Sequence, residues 1–231
     1  WWRSPPTDGS FIMQPIERVN DFVVKFANVN GSGSASANNL FAKAVLRMGV
    51  PVAARNIFPS NIQGLPTWYE VRVVETGWRG RRGGVDLMVA MNAETWSDDV
   101  AEIEQGGYLF YDSTKPLPHS RMREDITAIG MPLTGICQEM YEDARQRQLF
   151  KNVIYVGALA ALLDGLAVAA EALLASQYGG ERKAPLLEAN RGAFRRGYDY
   201  AKEHLPAIGL RLARRDAVGE RIFIDGNSAS G

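Results

Sequence analysis

Residues 28–39 read NVNGSGSASANN, with Gly31 and Gly33 set among Ser32, Ser34, Ala35 and Ser36. The stretch follows the apolar run DFVVKFA (21–27) and precedes LFAKAVLRMG, so it falls where a strand turns into a helix. Such a turn can bind an anion, because the backbone N–H groups of a helix N-terminus point outward and its dipole favours negative charge. A dinucleotide-binding turn asks for G-x-G-x-x-G: one glycine to turn, one to let the phosphate approach, one to pack helix on strand. Gly31 and Gly33 fill the first two places, and the small Ser36 stands in the third. The hydroxyls of Ser32, Ser34 and Ser36 add donors. Small residues here also let a helix pack closely on a sheet with no ligand, and on the turn alone both readings stand.

The end of the next strand bears on which ligand would fit. A site for NAD places an acidic residue there, about 20 positions on, to bind the ribose hydroxyls. This chain has Arg55 and Asn56 instead. A cation where a carboxylate is wanted favours a ligand with an extra phosphate, such as NADP or coenzyme A (CoA). Residues 58–73, FPSNIQGLPTWYEVRV, mix proline, amides and aromatics beside that position, as either a ligand-binding loop or a docking loop for a partner domain. WRGRRGG (78–84) and RLARR (211–215) are the two basic clusters, and an exposed basic turn ordinarily faces solvent. No nucleophile–base pair emerges. Cys137 falls inside a helical stretch and reads as core. His119 and His204 are isolated, and Asp98–Asp99 sit where acids stabilise a helix dipole. The pattern is that of a binding module without a catalytic constellation of its own.

The elements that must position the turn follow from periodicity. Residues 21–27 predict a strand, 34–48 a helix closed by Gly49, and Val50–Phe58 a second strand: a βαβ unit. TWYEVRVVE predicts an alternating strand and VDLMVAM (85–91) a central parallel one. SDDVAEIEQ predicts a helix capped by Ser97 and closed by Gly106–Gly107, with YLFYD and ITAIGMP as further strands. Beyond Pro132 the period is helical over 133–150, 152–177 and 184–205, and the closing ERIFIDGNSASG predicts a strand running into a turn. The expected fold class is α/β, a Rossmann-like doubly wound sheet with a helical C-terminal portion.

Composition excludes several classes. The 231 residues carry 26 basic and 26 acidic side chains, a formal net charge of zero, which gives no global pull toward nucleic acid or an anionic membrane. The single cysteine cannot make an internal disulfide or hold an iron–sulfur cluster, which takes about four thiolates. It fits a reducing cytoplasm. Two lone histidines do not make a zinc site. The longest apolar run, Val153–Leu163, has 11 residues, short of the roughly 20 that span a bilayer, and predicts two buried helices meeting at Asp164–Gly165.

Several motifs then fall in order: NGSGSASANNLFAKAVLRMGVPVAARNIFPSNIQGLPTWYEVRV, VDLMVAMNAETW, GGYLFYDST, KNVIYVGALAALLD and IFIDGNSASG. Over about residues 20–231 they resemble the 2-oxoacid:ferredoxin oxidoreductases, specifically the gamma-type domain that opens a fused alpha subunit in 2-oxoglutarate enzymes. The resemblance implies a complex that decarboxylates a 2-oxoacid on thiamine diphosphate with Mg. Electrons pass through [4Fe-4S] clusters to ferredoxin, and the acyl group is transferred to CoA. It implies the remainder of the alpha subunit, a beta subunit and ferredoxin as partners, in a hetero-oligomer. It divides the chain into a tail or linker (1–20), the CoA-associated domain (21–218) and the start of a pyrimidine-binding domain (219–231). The chain would then be part of a longer subunit, without catalytic residues of its own. Gly31, Ser32, Gly33 and Ser34 would line a phosphate-accepting turn, Arg55 would meet the CoA phosphates, and Asn61, Gln63 and Trp68 would line the pocket. Two rivals remain: an NADP-binding oxidoreductase domain, and a structural docking domain that binds no small ligand.

Overall fold

The computed structural model describes residues 14–216, apart from 60, 61, 79, 81, 117 and 118. The closing strand and turn expected after Asp216, the pyrimidine-domain start at 219–231, most of the basic turn's arginines and residues 1–13 of the expected tail lie outside the described residues.

The chain opens with β1 (Arg18–Val19) and β2 (Asp21–Val29), then α1 (Ser34–Arg47), β3 (Val52–Ile57) and β4 (Pro66–Val74). β5 (Val85–Ala90), α2 (Trp96–Ala101), β6 (Ile103–Asp112) and β7 (Thr127–Met131) follow. The rest is helical: α3 (Leu133–Met140), α4 (Ala144–Leu162), α5 (Leu166–Gln177) and α6 (Ala184–His204), before β8 (Leu210–Arg211). Six strands form one sheet in the order β3-β4-β2-β5-β6-β7, while β1 and β8 pair separately, in parallel.

β2, β5, β6 and β7 run parallel. β4 is antiparallel to both β2 and β3. The expected strand–helix–strand unit is therefore present in order, but β4 is inserted between its two strands. The alternation of TWYEVRVV supplies the reason: Tyr69, Val71 and Val73 join the main core, while Glu70 and Arg72 meet charged residues of both neighbouring strands.

The sheet has two unequal covers. On one face Phe22, Val24 and Phe26 of β2, with Leu87, Val89, Phe110 and Ile129, pack under α1 and the helices after Pro132. On the other, Val23, Ala27, Met88 and Leu109 pack under Trp96 and Val100 of α2. β5 is buried at every position, as a central parallel strand between two covered faces must be. The fold is α/β, with helices on both faces.

Three boundaries differ from the periodicity. The helix expected over 97–105 ends at Ala101, its N-cap position is Thr95 rather than Ser97, and Gly106–Gly107 lie inside β6. There the glycines admit another backbone rather than stop a helix: a Cβ at Gly106 would lie 2.3 Å from the Gln14 carbonyl oxygen. The first helix after Pro132 breaks at Tyr141–Asp143, where the Asp143 side chain accepts from the Gln146 N–H at 2.8 Å, and α4 then runs unbroken through Lys151. Residues 14–20 are joined to the body: the Ile16 N–H donates to the Gly106 carbonyl at 2.8 Å, and the Tyr108 hydroxyl donates to the Ile16 carbonyl at 2.9 Å. The break between α4 and α5 falls at Asp164 and Gly165, both with positive φ. No helix among the described residues is long and apolar enough to cross a membrane.

Candidate functional site

At the carboxyl end of β2 the chain turns through Gly31 (φ 85°) and Gly33 (φ 80°), in left-handed geometry that glycine adopts without strain. Gly33 caps α1, leaving the first N–H groups of that helix without an intrahelical partner. The turn is held from two sides. From α4, Asn152 donates its Nδ2 to the Ser32 carbonyl at 2.9 Å, and Leu149 lies so near Gly33 that a Cβ there would meet it at 2.5 Å. From the 58–65 loop, Gln63 covers Gly31 in the same way, at 2.7 Å. The loop is tied to Asn30 by three hydrogen bonds: Asn30 N–H to the Leu65 carbonyl (2.8 Å), Gly64 N–H to the Asn30 carbonyl (3.0 Å) and Asn30 Nδ2 to the Ile62 carbonyl (3.1 Å).

Between turn and loop opens a cavity of about 440 Å³. Its polar lining is uncharged: the amides of Asn28, Asn30, Asn38 and Asn56 and the hydroxyls of Ser34, Ser36, Thr67 and Tyr69. Phe58 and Tyr69 supply aromatic surface, while the Trp68 indole packs on the other face of the sheet, against the second core. No charged side chain lines it among the described residues. Ser34, Thr67 and Tyr69 are 5%, 9% and 8% exposed, yet none of their hydroxyls has a hydrogen-bond partner among the described residues. No described protein group occupies these three hydroxyls, which leaves them as donors and acceptors facing the opening. Burial pushes the Tyr69 phenol above its usual range, which keeps it a neutral O–H.

Beneath them lies a closed set of bonds. Tyr155, fully buried on α4, donates to Asn38 Oδ1 at 2.6 Å, and Asn38 Nδ2 donates to Asn28 Oδ1 at 3.1 Å. Burial drives the Tyr155 phenol far up, so it too remains a donor.

The sequence-derived residues divide accordingly. Gly31, Gly33, Ser34 and Trp68 line the cavity. Ser32 belongs to the turn, but its hydroxyl is buried without a partner among the described residues. Gln63 lies over Gly31, outside the lining, and Asn61 lies outside the described residues. Arg55 is not brought to the cavity. It stands in register with Glu70 of β4, which in turn is in register with Lys25 of β2. Its guanidinium pairs with the Glu70 carboxylate at 2.6 Å.

Periodicity had marked neither Asn28, Asn38, Thr67 and Tyr69 nor Asn152 and Tyr155. One signal was present: Asn38 falls on the buried stripe of α1, three residues before Phe41, where an apolar residue belongs.

Trp68 leads to a second overlooked residue. Its indole N–H donates to Asp99 Oδ1 at 2.7 Å, Thr95 Oγ1 donates to Asp99 Oδ2 at 2.6 Å, and Asp99 is 1% exposed. Burial raises the Asp99 carboxyl, opposed by those two hydrogen bonds and by nearby Lys25. Lys25 is itself buried, ion-paired with Glu102 and 5.6 Å from the Trp68 ring centroid.

At the carboxyl ends of β6 and β7 a third cluster forms. Asp112 accepts from Thr114 N–H (3.1 Å) and Oγ1 (2.6 Å), from Thr134 N–H (3.2 Å) and from the Thr134 hydroxyl, with Lys151 Nζ 3.5 Å away. Burial alone would raise its carboxyl, but these donors hold it below the usual carboxylate range. Cys137, 2% exposed, has its thiol pushed up to about 11 by burial, which makes it core and not nucleophile. No group of three or more His, Cys, Asp or Glu that could hold a metal occurs among the described residues.

The chain is similar to known proteins. The family model described as pyruvate ferredoxin/flavodoxin oxidoreductase matches residues 23–200. The alpha subunits of 2-oxoacid:ferredoxin oxidoreductases 2 and 1 from Aeropyrum pernix are 30% and 29% identical over 124 and 126 residues, each match covering 54% of this chain. A 2-oxoglutarate:ferredoxin oxidoreductase from Magnetococcus marinus, solved with 2-oxoglutarate, CoA and succinyl-CoA bound, superposes with a TM-score of 0.72 at 25% identity over 85% of this chain. A pyruvate oxidoreductase subunit from Thermotoga maritima has the same fold, with a TM-score of 0.60 at 21% identity over 78% of this chain and 96% of its own. The chain spans 19% of the length of each Aeropyrum relative and 34% of the Magnetococcus chain. Matched over most of its length by the family model, it belongs to the pyruvate ferredoxin/flavodoxin oxidoreductase family.

Proposed function

We propose that this chain is the gamma-type domain of a 2-oxoacid:ferredoxin oxidoreductase, of the 2-oxoglutarate type with the domain opening a fused alpha subunit, and that it binds CoA at the cavity beside the glycine turn. The complex would convert 2-oxoglutarate, CoA and oxidised ferredoxin to succinyl-CoA, CO₂ and reduced ferredoxin, or run the reverse, in the cytoplasm. The observation that carries this reading is the juxtaposition of the α1 N-terminus with three unpaired hydroxyls in one cavity, in a chain that superposes on an enzyme solved with CoA.

The cavity is near the lower end of the ~300–1,000 Å³ that takes a drug-sized ligand, so it would hold one part of a molecule as long as CoA. Ser34, Thr67 and Asn56 would hydrogen-bond it, the Gly31–Ser34 turn would face a phosphate, and Gln63 would ride on the loop above. This chain would bind and orient CoA and hold subunits together. Thiamine diphosphate would supply the decarboxylation chemistry and iron–sulfur clusters the electron path. With one buried cysteine, and no metal-holding group among its described residues, the chain does not fit a cluster or Mg, which the reading assigns to the other parts of the complex.

The NADP reading rested on a cation after the second strand, and Arg55 is committed to Glu70. The docking reading keeps one observation: Phe58 and Leu65, on the loop beside the cavity, are 51% and 39% exposed. Viologen reduction by the complex, purified without oxygen, tests the proposal. Reduction requiring both 2-oxoglutarate and CoA is expected. Activity with pyruvate alone would keep the family and change the substrate. Activity unaffected by Ser34→Ala and Thr67→Val at limiting CoA would leave the docking reading.

A further inference from the structure

We infer that Asn152 of α4 is a positioning residue for the ligand's phosphate: by holding the Ser32 carbonyl it aims the Gly33 N–H into the cavity. This rests on the reading of the cavity as a CoA site.

Asn152 is 3% exposed and opens the run of α4 residues, 152–162, that is buried throughout. A buried amide is unfavourable unless its hydrogen bonds are met. Its Nδ2 carries two hydrogens, and both are placed: one on the Ser32 carbonyl at 2.9 Å, one on the Gln148 carbonyl of its own helix at 3.1 Å. Both partners can only accept, so only the amide nitrogen can stand there, and its orientation is fixed. The Gln148 carbonyl already takes the Asn152 backbone N–H within the helix. The bond that nothing else supplies is the one to Ser32. A peptide unit is planar and trans, so its carbonyl and its N–H point in opposite directions. Drawing the Ser32 carbonyl to α4 therefore turns the Gly33 N–H away from α4. On that side lies the cavity, whose lining comes from β2, the glycine turn, α1 and the β3–β4 segment and includes no residue of α4. No described residue accepts from the Gly33 N–H. Gly33 is left-handed (φ 80°, ψ 3°) and Ser34 enters the helix, the change of hand that gathers successive N–H groups into an anion-binding concavity. Beside it stand the hydroxyls of Ser34 and Thr67, 5% and 9% exposed and without a partner among the described residues. A peptide next to glycine rotates easily, so this one needs a hold. An N–H fixed before the ligand arrives avoids the entropy loss of ordering it on binding.

The test uses the complex purified without oxygen and the 2-oxoacid it accepts. Viologen reduction is followed at varied CoA and, separately, at varied pantetheine, which carries the same thiol arm without the phosphates. Asn152→Leu keeps the volume and removes the donor. It is expected to raise the KM for CoA about tenfold, the loss of one hydrogen bond to a charged group. The kcat with CoA and the kcat/KM with pantetheine are expected to change less than about twofold, because only the hold on the phosphate is lost. Should Asn152→Leu fail to assemble, Asn152→Ser reads the same split: its hydroxyl bonds back to the Gln148 carbonyl and is too short to reach Ser32. Equal losses with the two acceptors would mean a general loosening of the fold. That result, or an unchanged KM for CoA, overturns the inference and leaves the CoA site standing. An unmodified complex that uses pantetheine as well as CoA overturns the phosphate-binding turn, and this inference with it.

Discussion

Asn38 and Asn28 face each other where a helix and a strand would otherwise bury apolar side chains, and Tyr155 completes the set from α4. Asn38 is bonded through both its oxygen and its nitrogen, so it does not compete for the hydroxyls above it. Arg55, by contrast, is a cation in the expected stretch of sequence and on another part of the surface. The consequence is an inverted ranking of substitutions. Ser34→Ala and Thr67→Val are each expected to raise the KM for CoA about three- to tenfold, by removing one hydrogen bond in a shielded site. Arg55→Ala is expected to change it less than about twofold, as a partly exposed ion pair contributes little. Steady-state viologen reduction at varied CoA checks both. The glycine turn was legible because its geometry needs glycine, and glycine is visible in a sequence. The amide floor was not, because an asparagine reads as loop or cap until its partner, 117 residues away in the case of Tyr155 and Asn38, is known.

Among the elements, the crossing of α4 and α6 is set by two glycines that periodicity passes over. A Cβ at Gly157 would stand 2.0 Å from the Phe194 carbonyl oxygen, and one at Gly197 1.9 Å from that of Ile154. The two helices meet backbone to backbone. Gly197→Ala is expected to destabilise by about 1–3 kcal/mol through overpacking, although alanine is the better helix former. With about 2–4 °C lost per kcal/mol in a domain of this size, a thermal melt resolves it. α3 offers a second case. Its Thr134 N–H closes on the Asp112 carboxylate, whose pKa lies below the ordinary value. A depressed carboxyl adds stability that is fully present above the unfolded-state pKa of about 3.9 and is lost as pH falls through the lower folded value. Melting temperature measured across that acid window should therefore fall more for the unmodified chain than for Asp112→Asn, which at neutral pH should already be less stable by about 1–3 kcal/mol. Helices α1 and α6 were readable from their stripes, and the end of α4 from Asp164–Gly165. The short α2 was not, since the residues after Ala101 look helical until Ile103 is paired with Val85.

On the scale of the whole molecule, the sheet is parallel except for β4, and that exception shapes the cavity. Inserting β4 beside β2 brings Thr67, Trp68 and Tyr69 to the mouth of the glycine turn, where a purely parallel neighbour would bring the other end of a strand. The strands of the six-stranded sheet were legible one by one, and β1 and β8 were not. Their spatial order was not, because strand pairing depends on partners far apart in sequence and a βαβ pattern tolerates an inserted neighbour. Ligands in α/β proteins gather at the carboxyl ends of strands where the winding changes direction. Here that place lies between β2, whose chain winds toward β3, and β5, whose chain winds toward β7.

The parallel pairing of β1 with β8 joins residues almost two hundred positions apart. Arg18 N–H donates to the Gly209 carbonyl at 3.0 Å and Asn20 N–H to that of Arg211 at 3.1 Å, and the Asn20 amide exchanges two further bonds with the Ala213 backbone, each 2.9 Å. Tension applied through the two flanking segments would draw these strands along their own axes in opposite senses. The bonds would then be loaded together, in shear, and not opened one after another like a zipper. A domain carried between moving parts of a larger assembly would thus meet a pull with β1 and β8 acting as a mechanical clasp, ahead of the sheet and the cavity it frames.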